Sequence, residues 1–224
     1  MSLLLAADTS GKSGSIALAR CGPGDDCKVL DVVPLAGGTF SAQLVPQIAE
    51  LLSKHGVAKH DIGGFAVASG PGSFTGLRVG LAAIKALAEV LAKPIAAVSL
   101  LEAVAVAGCT RGRVVAALDA GRKDVYAGEY EVGDKVECLS ERLLSTDEFL
   151  LAAKGQCVIT PEKTIADIAR SAGLQVVEVA RPCCDTIARL GWQKIQAGET
   201  VSPENLEANY IRRSDAEIFS GPVT

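Results

Sequence analysis

A short pattern occurs twice in this chain, at its start and near its middle. Asp8-Thr9-Ser10-Gly11-Lys12 and Asp119-Ala120-Gly121-Arg122-Lys123 share Asp-x-small-x-Lys. Each aspartate ends an apolar strand and a second strand follows: 3–7 then 15–19, and 114–118 then 125–130. The first half continues with strand 28–35, helix 43–54, strand 65–68, helix 77–92, strand 95–98 and helix 100–106. The second half continues with strand 135–139, helix 147–154, strand 158–160, helix 165–171, strand 176–179 and helix 185–197. Pro46 falls in the first turn of helix 43–54, Pro94 stops helix 77–92, and Thr146 caps helix 147–154. Strands that return on themselves, followed by alternating helix and strand, predict a mixed α/β protein of two βββαβα lobes. Their spans are 1–108 and 109–224, the second with an irregular tail from 202.

Composition then removes several classes of function. A net charge of −4 and a pI near 5.3 supply no basic face for a stand-alone nucleic-acid binder. Aromatic residues at 4% are too few for an array of base-stacking rings, and 49% hydrophobic residues exclude a disordered chain. Seven cysteines without a single CxxC fit reduced thiols better than a disulfide framework. Residues 1–8 lack a basic leader and their apolar run ends at Asp8. Lys85, Glu89, Lys93 and Glu102 interrupt the most apolar stretch, so no membrane segment is expected and the protein reads as cytoplasmic.

Two constellations have the residue types for ligand chemistry. The turn 70–76, between a strand and a helix, is placed where backbone N–H groups hold phosphates. No Gly-Lys-Ser/Thr follows it, and Thr75 stands where a dinucleotide fingerprint needs its third glycine. Anion cradle and sharp structural turn therefore both stand, the second resting on Gly70, Gly72 and Gly76 with Ser73 or Thr75 as the helix cap. The paired hairpins, facing each other if the lobes are duplicated, offer Asp8, Ser10, Lys12, Asp119 and Lys123 as a vestigial phosphate grip, or as two ordinary β-turns. Metal chemistry is not expected: His55 and His60, read as exposed, form no ligand spacing, and the cysteines are scattered.

Helix 77–92 is apolar around most of its circumference, with Arg78, Lys85 and Glu89 in one narrow stripe. Such an arc is far wider than the stripe of an ordinary surface helix, so coverage on two sides is required, the extra face being covered either by the chain's own second layer or by another subunit. With the amphipathic helix 43–54 it predicts a partner interface built from Leu44, Ile48, Leu51, Leu77, Leu81, Ile84, Leu87, Ala88 and Leu91. Leu81→Glu or Ile84→Arg is expected to break that association if the residue faces outward. A homodimer is expected when the partner is missing.

Asp8-Thr9-Ser10, Phe40-Ser41 before Leu44-Val45-Pro46, the string Gly70-Pro71-Gly72-Ser73-Phe74-Thr75-Gly76-Leu77-Arg78-Val79-Gly80, and Leu118-Asp119-Ala120 before Val125-Tyr126 resemble the TsaB (YeaZ) family. The resemblance covers nearly the whole chain. It implies the duplicated actin/Hsp70/sugar-kinase (ribonuclease H-like) fold and a role in the threonylcarbamoyladenosine modification of tRNA. The two metal-binding histidines of the family's catalytic sister, TsaD, correspond to Leu100 and Val104, whose aliphatic side chains cannot ligate a metal. The resemblance thus implies a non-catalytic subunit with no catalytic residues and no cofactor of its own, nucleotide being held only at an interface with partners. The implied partners are a TsaD-type catalytic subunit, a TsaE-type ATPase, and tRNA through the complex. Two rivals belong to other classes: an ATP-binding phosphotransferase of the actin-like fold, resting on the paired hairpins, and a metalloprotease, which Leu100 and Val104 oppose.

Overall fold

The computed structural model describes residues 1–211; the remainder of the expected tail lies outside the described residues. Among the described residues, ten strands form two five-stranded sheets. In the first, β1 (Ser2–Asp8), β2 (Gly14–Cys21), β3 (Cys27–Leu35), β4 (Ile62–Gly70) and β5 (Ile95–Ser99) are ordered β3-β2-β1-β4-β5. β1 runs antiparallel to β2 and parallel to β4, as expected when hairpin turns join the first three strands and helices carry the later crossovers. The second sheet repeats this with β6 (Gly112–Gly121), β7 (Asp124–Val132), β8 (Val136–Ser145), β9 (Cys157–Thr160) and β10 (Gln175–Glu178), ordered β10-β9-β6-β7-β8. Helices follow in matching places: α1 (Phe40–Lys54), α2 (Phe74–Leu91) and α3 (Leu100–Ala107), then α4 (Thr146–Ala152), α5 (Lys163–Ser171) and α6 (Cys184–Gln196).

The described chain divides into two compact units, Met1–Ala103 with Arg181–Ala208, and Val104–Ala180 with residues 209–211. The first break falls five residues before the expected 108/109 boundary, inside α3. The second corrects the expectation that everything after 109 forms one lobe: α6 and the strand-like segment behind it belong to the first unit. β4 is buried along nearly all of its length, so the first sheet needs cover on both faces. On one face α1 and α2 pack over Leu5, Ile16, Leu18, Phe65 and Val67. On the other lies α6, burying Ile187, Ala188 and Trp192; Gly191 sits so close that a Cβ there would stand 2.3 Å from Ala66 Cβ. Val201 then pairs with Ile95 at the sheet's edge.

In the second unit α4 and α5 close a core of Val115, Ala117, Val125, Phe149, Val158 and Ile165. Element boundaries moved where local chemistry was stronger than periodicity. α1 begins at Phe40, so Pro46 lies in its second turn rather than its first. α4 is capped by Ser145, not Thr146, because Ser145 and Glu148 form a reciprocal capping box. His55 is half-buried rather than exposed: its Nε2 lies 3.0 Å from Asp31 Oδ2, which Lys54 Nζ also approaches to 2.6 Å. These two partners, Lys54 first, lower the Asp31 carboxyl to a pKa of about 2.

Candidate functional site

In the first unit, β1 delivers Asp8 to a turn that the rest of the unit encloses. Asp8, Thr9 and Ser10 are all buried. Asp8 Oδ1 accepts the Ser10 backbone N–H at 2.8 Å and the Ser10 hydroxyl at 2.6 Å. Burial is the largest influence on Asp8 and pushes its carboxyl pKa up, while the Ser10 bonds and the nearby Arg181 charge pull it down. Both Ser10 donors are spent on Asp8, which leaves none for a phosphate. Lys12 is exposed and turned out to solvent.

The glycine-rich turn makes the enclosure. Gly72, Gly76 and Gly80 recur every fourth residue along the start of α2 and lie against this hairpin. A Cβ at each would stand 2.5 Å from Ser10 O, 2.0 Å from Thr9 O and 2.4 Å from Thr9 Oγ1 respectively. Gly70 has a positive φ of 120°, a conformation other residues rarely adopt. Ser73 N donates to Ser10 O at 2.7 Å, Thr9 Oγ1 donates to Gly76 O at 2.7 Å, and Ser73 Oγ caps the helix by accepting Gly76 N at 3.3 Å. The N–H groups of Ser73 and Gly76 are therefore already occupied. Thr9 and Gly80 are structural parts of this arrangement; the sequence marks Gly80 as a point of close backbone approach but gives no sign that Thr9 is what approaches it.

The second unit's hairpin is built differently. Asp119 is exposed, and its Oδ1 accepts the Gly121 N–H at 2.8 Å. Arg122 and Lys123 close the hairpin with φ of 56° and 68°. The Lys123 carbonyl accepts both the N–H and the hydroxyl of Thr146, at 3.1 and 2.8 Å. Lys123 is thus committed through its backbone, and its ammonium group lies on an exposed residue.

The helical pair also departs from expectation. Leu44, Ile48, Leu51, Leu77, Leu81, Ile84 and Ala88 face inward and are buried in the first unit's own core. The sheet beneath and α1 alongside cover most of the wide apolar arc, so a second subunit is not needed for those seven. Leu87 and Leu91 are partly buried at the margin of that core. The accessible apolar surface lies elsewhere. On α1 it comprises Ala42, Val45 and Ala49; on α2 it comprises Ala82, Ala86 and Val90, with Val45 56% and Val90 78% exposed. Lys85 Nζ donates to the Glu204 carbonyl at 3.4 Å, which places the charged stripe of α2 on the side of the segment that follows α6. Leu100 and Val104 are buried apolar side chains on α3.

Two units of one strand order, each carrying an aspartate at or near the end of its first strand, define a duplicated ribonuclease H-like α/β fold of the actin, Hsp70 and sugar-kinase kind. Residues 32–177 match the family model described as TsaD, tRNA N6-adenosine threonylcarbamoyltransferase. The tRNA threonylcarbamoyladenosine biosynthesis protein TsaB of Escherichia coli (strain K12) is 28% identical over 226 residues, covering 95% of this chain and 96% of its own length. Its namesake from Bacillus subtilis (strain 168) is 36% identical over 129 residues, 57% of this chain and 55% of that protein. A crystal structure from Pseudomonas aeruginosa, described as an uncharacterized protein with similarity to peptidase YEAZ, superposes with a TM-score of 0.78 at 28% identity, over 95% of this chain and 100% of that one. The chain belongs to this threonylcarbamoyltransferase-related family, in its TsaB (YeaZ) branch.

Proposed function

We propose that this chain serves in the biosynthesis of threonylcarbamoyladenosine in tRNA as a non-catalytic subunit that docks and activates a TsaD-type catalytic partner. The observation that carries this reading is the apolar margin of α1 and α2 left uncovered by the chain itself, with Val45 and Val90 at its most exposed points. An isolated exposed valine needs no explanation, but two neighbouring helices with aligned apolar residues form a surface for helix-to-helix packing. The names carried by its relatives supply the pathway. Leu100 and Val104, standing where the catalytic sister has metal-binding histidines, support a subunit without its own metal chemistry. In this reading a TsaE-type ATPase and tRNA meet the chain within the complex, in the cytoplasm. The same margin closes on a second copy when the partner is absent.

The test is co-purification with a TsaD-type protein, followed by tRNA modification with and without this chain. Val45→Glu combined with Val90→Glu places two charges on the margin without touching the core. The double variant is expected to keep its thermal midpoint and to lose at least tenfold in partner affinity, since a desolvated unpaired charge is strongly unfavourable. Modification activity falls with it. A folded double variant that still binds the partner at full affinity overturns the docking surface. Ile84→Arg, at a position with no exposure, is expected to unfold the chain instead.

A further inference from the structure

Cys21 and Cys27 stand opposite one another at the turn end of the β2–β3 hairpin, in directly paired register. Their Sγ atoms are 2.9 Å apart, closer than non-bonded sulfurs ordinarily approach, with Cys21 donating its S–H to Cys27. Gly22 N donates to Asp26 O on the next rung at 2.7 Å, which makes the cysteine pair a non-hydrogen-bonded one. In such pairs the Cα atoms are about 4.5 Å apart and the side chains lean together, within the range that a disulfide bridges. Both side chains are shielded, at 0% and 5% exposure, yet the connecting residues Pro23, Gly24, Asp25 and Asp26 are all exposed. Opening this turn is therefore enough to uncover them.

The pair is chemically unsymmetrical. The S–H donated by Cys21 lowers the pKa of the Cys27 thiol, helped by the nearby Arg189 guanidinium; the same hydrogen bond raises that of Cys21. Cys27 is the sulfur suited to attack, and Cys21 the one suited to resolve. α6 gathers on the same turn. Trp192 Nε1 donates to Gly22 O at 2.9 Å, Arg189 Nη1 to Cys27 O at 3.0 Å, and Gln193 Nε2 to Asp25 Oδ1 at 3.0 Å.

We propose that Cys21 and Cys27 are a reversible disulfide site that closes the hairpin end to which α6 is anchored. Its oxidant is a low-molecular-weight disulfide, such as oxidised glutathione. The Cys27 thiolate attacks one sulfur of the oxidant, forming a mixed disulfide and expelling one thiol. Cys21, losing its proton, then attacks the Cys27 sulfur and expels the second thiol. Two protein thiols are oxidised to one disulfide, one small disulfide is reduced to two thiols, and a dithiol reductant reverses the exchange. The site does not depend on the docking surface or its partner.

The sequence provides a direct readout. Trypsin cuts after Arg20 and Lys28, releasing residues 21–28 with both cysteines and no others. The folded full-length protein, treated with oxidised glutathione, alkylated and digested, is expected to yield this peptide lighter by a pair of hydrogens and carrying no glutathione. Exposed Cys109, Cys138 and Cys183 serve as comparison sites for glutathione uptake. Oxidation is expected to raise the thermal midpoint by several degrees, and dithiothreitol to restore it. In C21S the mixed disulfide is expected to accumulate on Cys27, whereas C27S modifies Cys21 more slowly. Recovery of peptide 21–28 from the folded wild type fully alkylated, or with glutathione on either cysteine, overturns the proposal, and this readout needs no variant to fold.

Discussion

The two Asp-bearing hairpins start from the same short pattern and end in opposite environments. Each aspartate accepts the backbone N–H two residues on at 2.8 Å, so the local turn is shared. What differs is the neighbour. In the first unit β4 runs into Gly70-Pro71-Gly72-Ser73, and the glycines let α2 press its first turns onto Thr9 and Ser10. At the corresponding place in the second unit, β9 runs into Thr160-Pro161-Glu162. There Glu162 N donates to Thr160 Oγ1 at 3.1 Å, so the turn bonds to itself, and Asp119 stays in solvent. A motif of five residues thus fixes the turn. Residues some sixty positions later decide whether its carboxylate is buried.

The sharpest way to break this contrast is to add one methyl group to each side of it. Gly76→Ala places a carbon 2.0 Å from the Thr9 carbonyl oxygen, and backbone on both sides leaves little room to yield. The expected loss is about 3 kcal/mol or more, at the upper end of overpacking effects. Gly121→Ala meets nothing within 4 Å but must hold φ of 71°. Its expected loss is about 1–2 kcal/mol, from left-handed strain alone. Urea unfolding of the two variants measures the difference. Equal losses would mean that the enclosure of the first hairpin is soft.

Element order and the repeat were legible because they rest on local signals: apolar runs, turn glycines and Pro94. The exposed apolar surface of α1 and α2 was only half legible. The helical wheel gives the width of the apolar arc on α2, but its inner direction depends on where β4 and α1 lie, so the wheel leaves open whether Leu81 and Ile84 face outward; both are core. The assignment of α6 was not legible at all. Ile187, Ala188 and Trp192 form an ordinary amphipathic pattern that would suit either sheet, and nothing near Cys184 in sequence says that its N–H meets Ser15 Oγ at 3.1 Å. Glycine spacing at 72, 76 and 80 was the one available hint of the buried hairpin.

A smaller effect tests the carboxylates themselves. Burial raises the folded pKa of Asp8, so its ionised form is less favourable in the folded state than in the unfolded chain, where the group titrates near about 3.9. Stability relative to a neutral isostere is therefore equal at low pH and is lost as pH rises through the folded value. Asp8→Asn keeps an oxygen for both Ser10 donors, so the variant is expected to gain in thermal midpoint over the wild type as pH is raised from acid to neutral. Asp119→Asn, at an exposed turn, is expected to stay within about 0.5 kcal/mol at every pH. An Asp8→Asn variant less stable than wild type at neutral pH would show that the Ser10 hydrogen bonds to the carboxylate and the Arg181 attraction together outweigh desolvation.

The smallest contrast lies in the two lysines. Lys12 and Lys123 occupy the same motif position and are both exposed, so neither ammonium group is expected to contribute much to stability. Their backbones are not equivalent. Lys123 holds φ of 68° while its carbonyl accepts the two Thr146 donors, and a glycine there keeps that carbonyl and removes the left-handed strain. Relief of about 1 kcal/mol or more outweighs the greater freedom glycine has in the unfolded chain, leaving Lys123→Gly about 0.5 kcal/mol more stable than wild type. Lys12 is not among the residues with positive φ, so Lys12→Gly gains nothing and loses roughly 0.5–1 kcal/mol to unfolded-state entropy. Opposite signs in paired chemical denaturation curves are the expected outcome. Matching signs would mean that the second hairpin carries no more backbone strain than the first, and that burial alone separates the two.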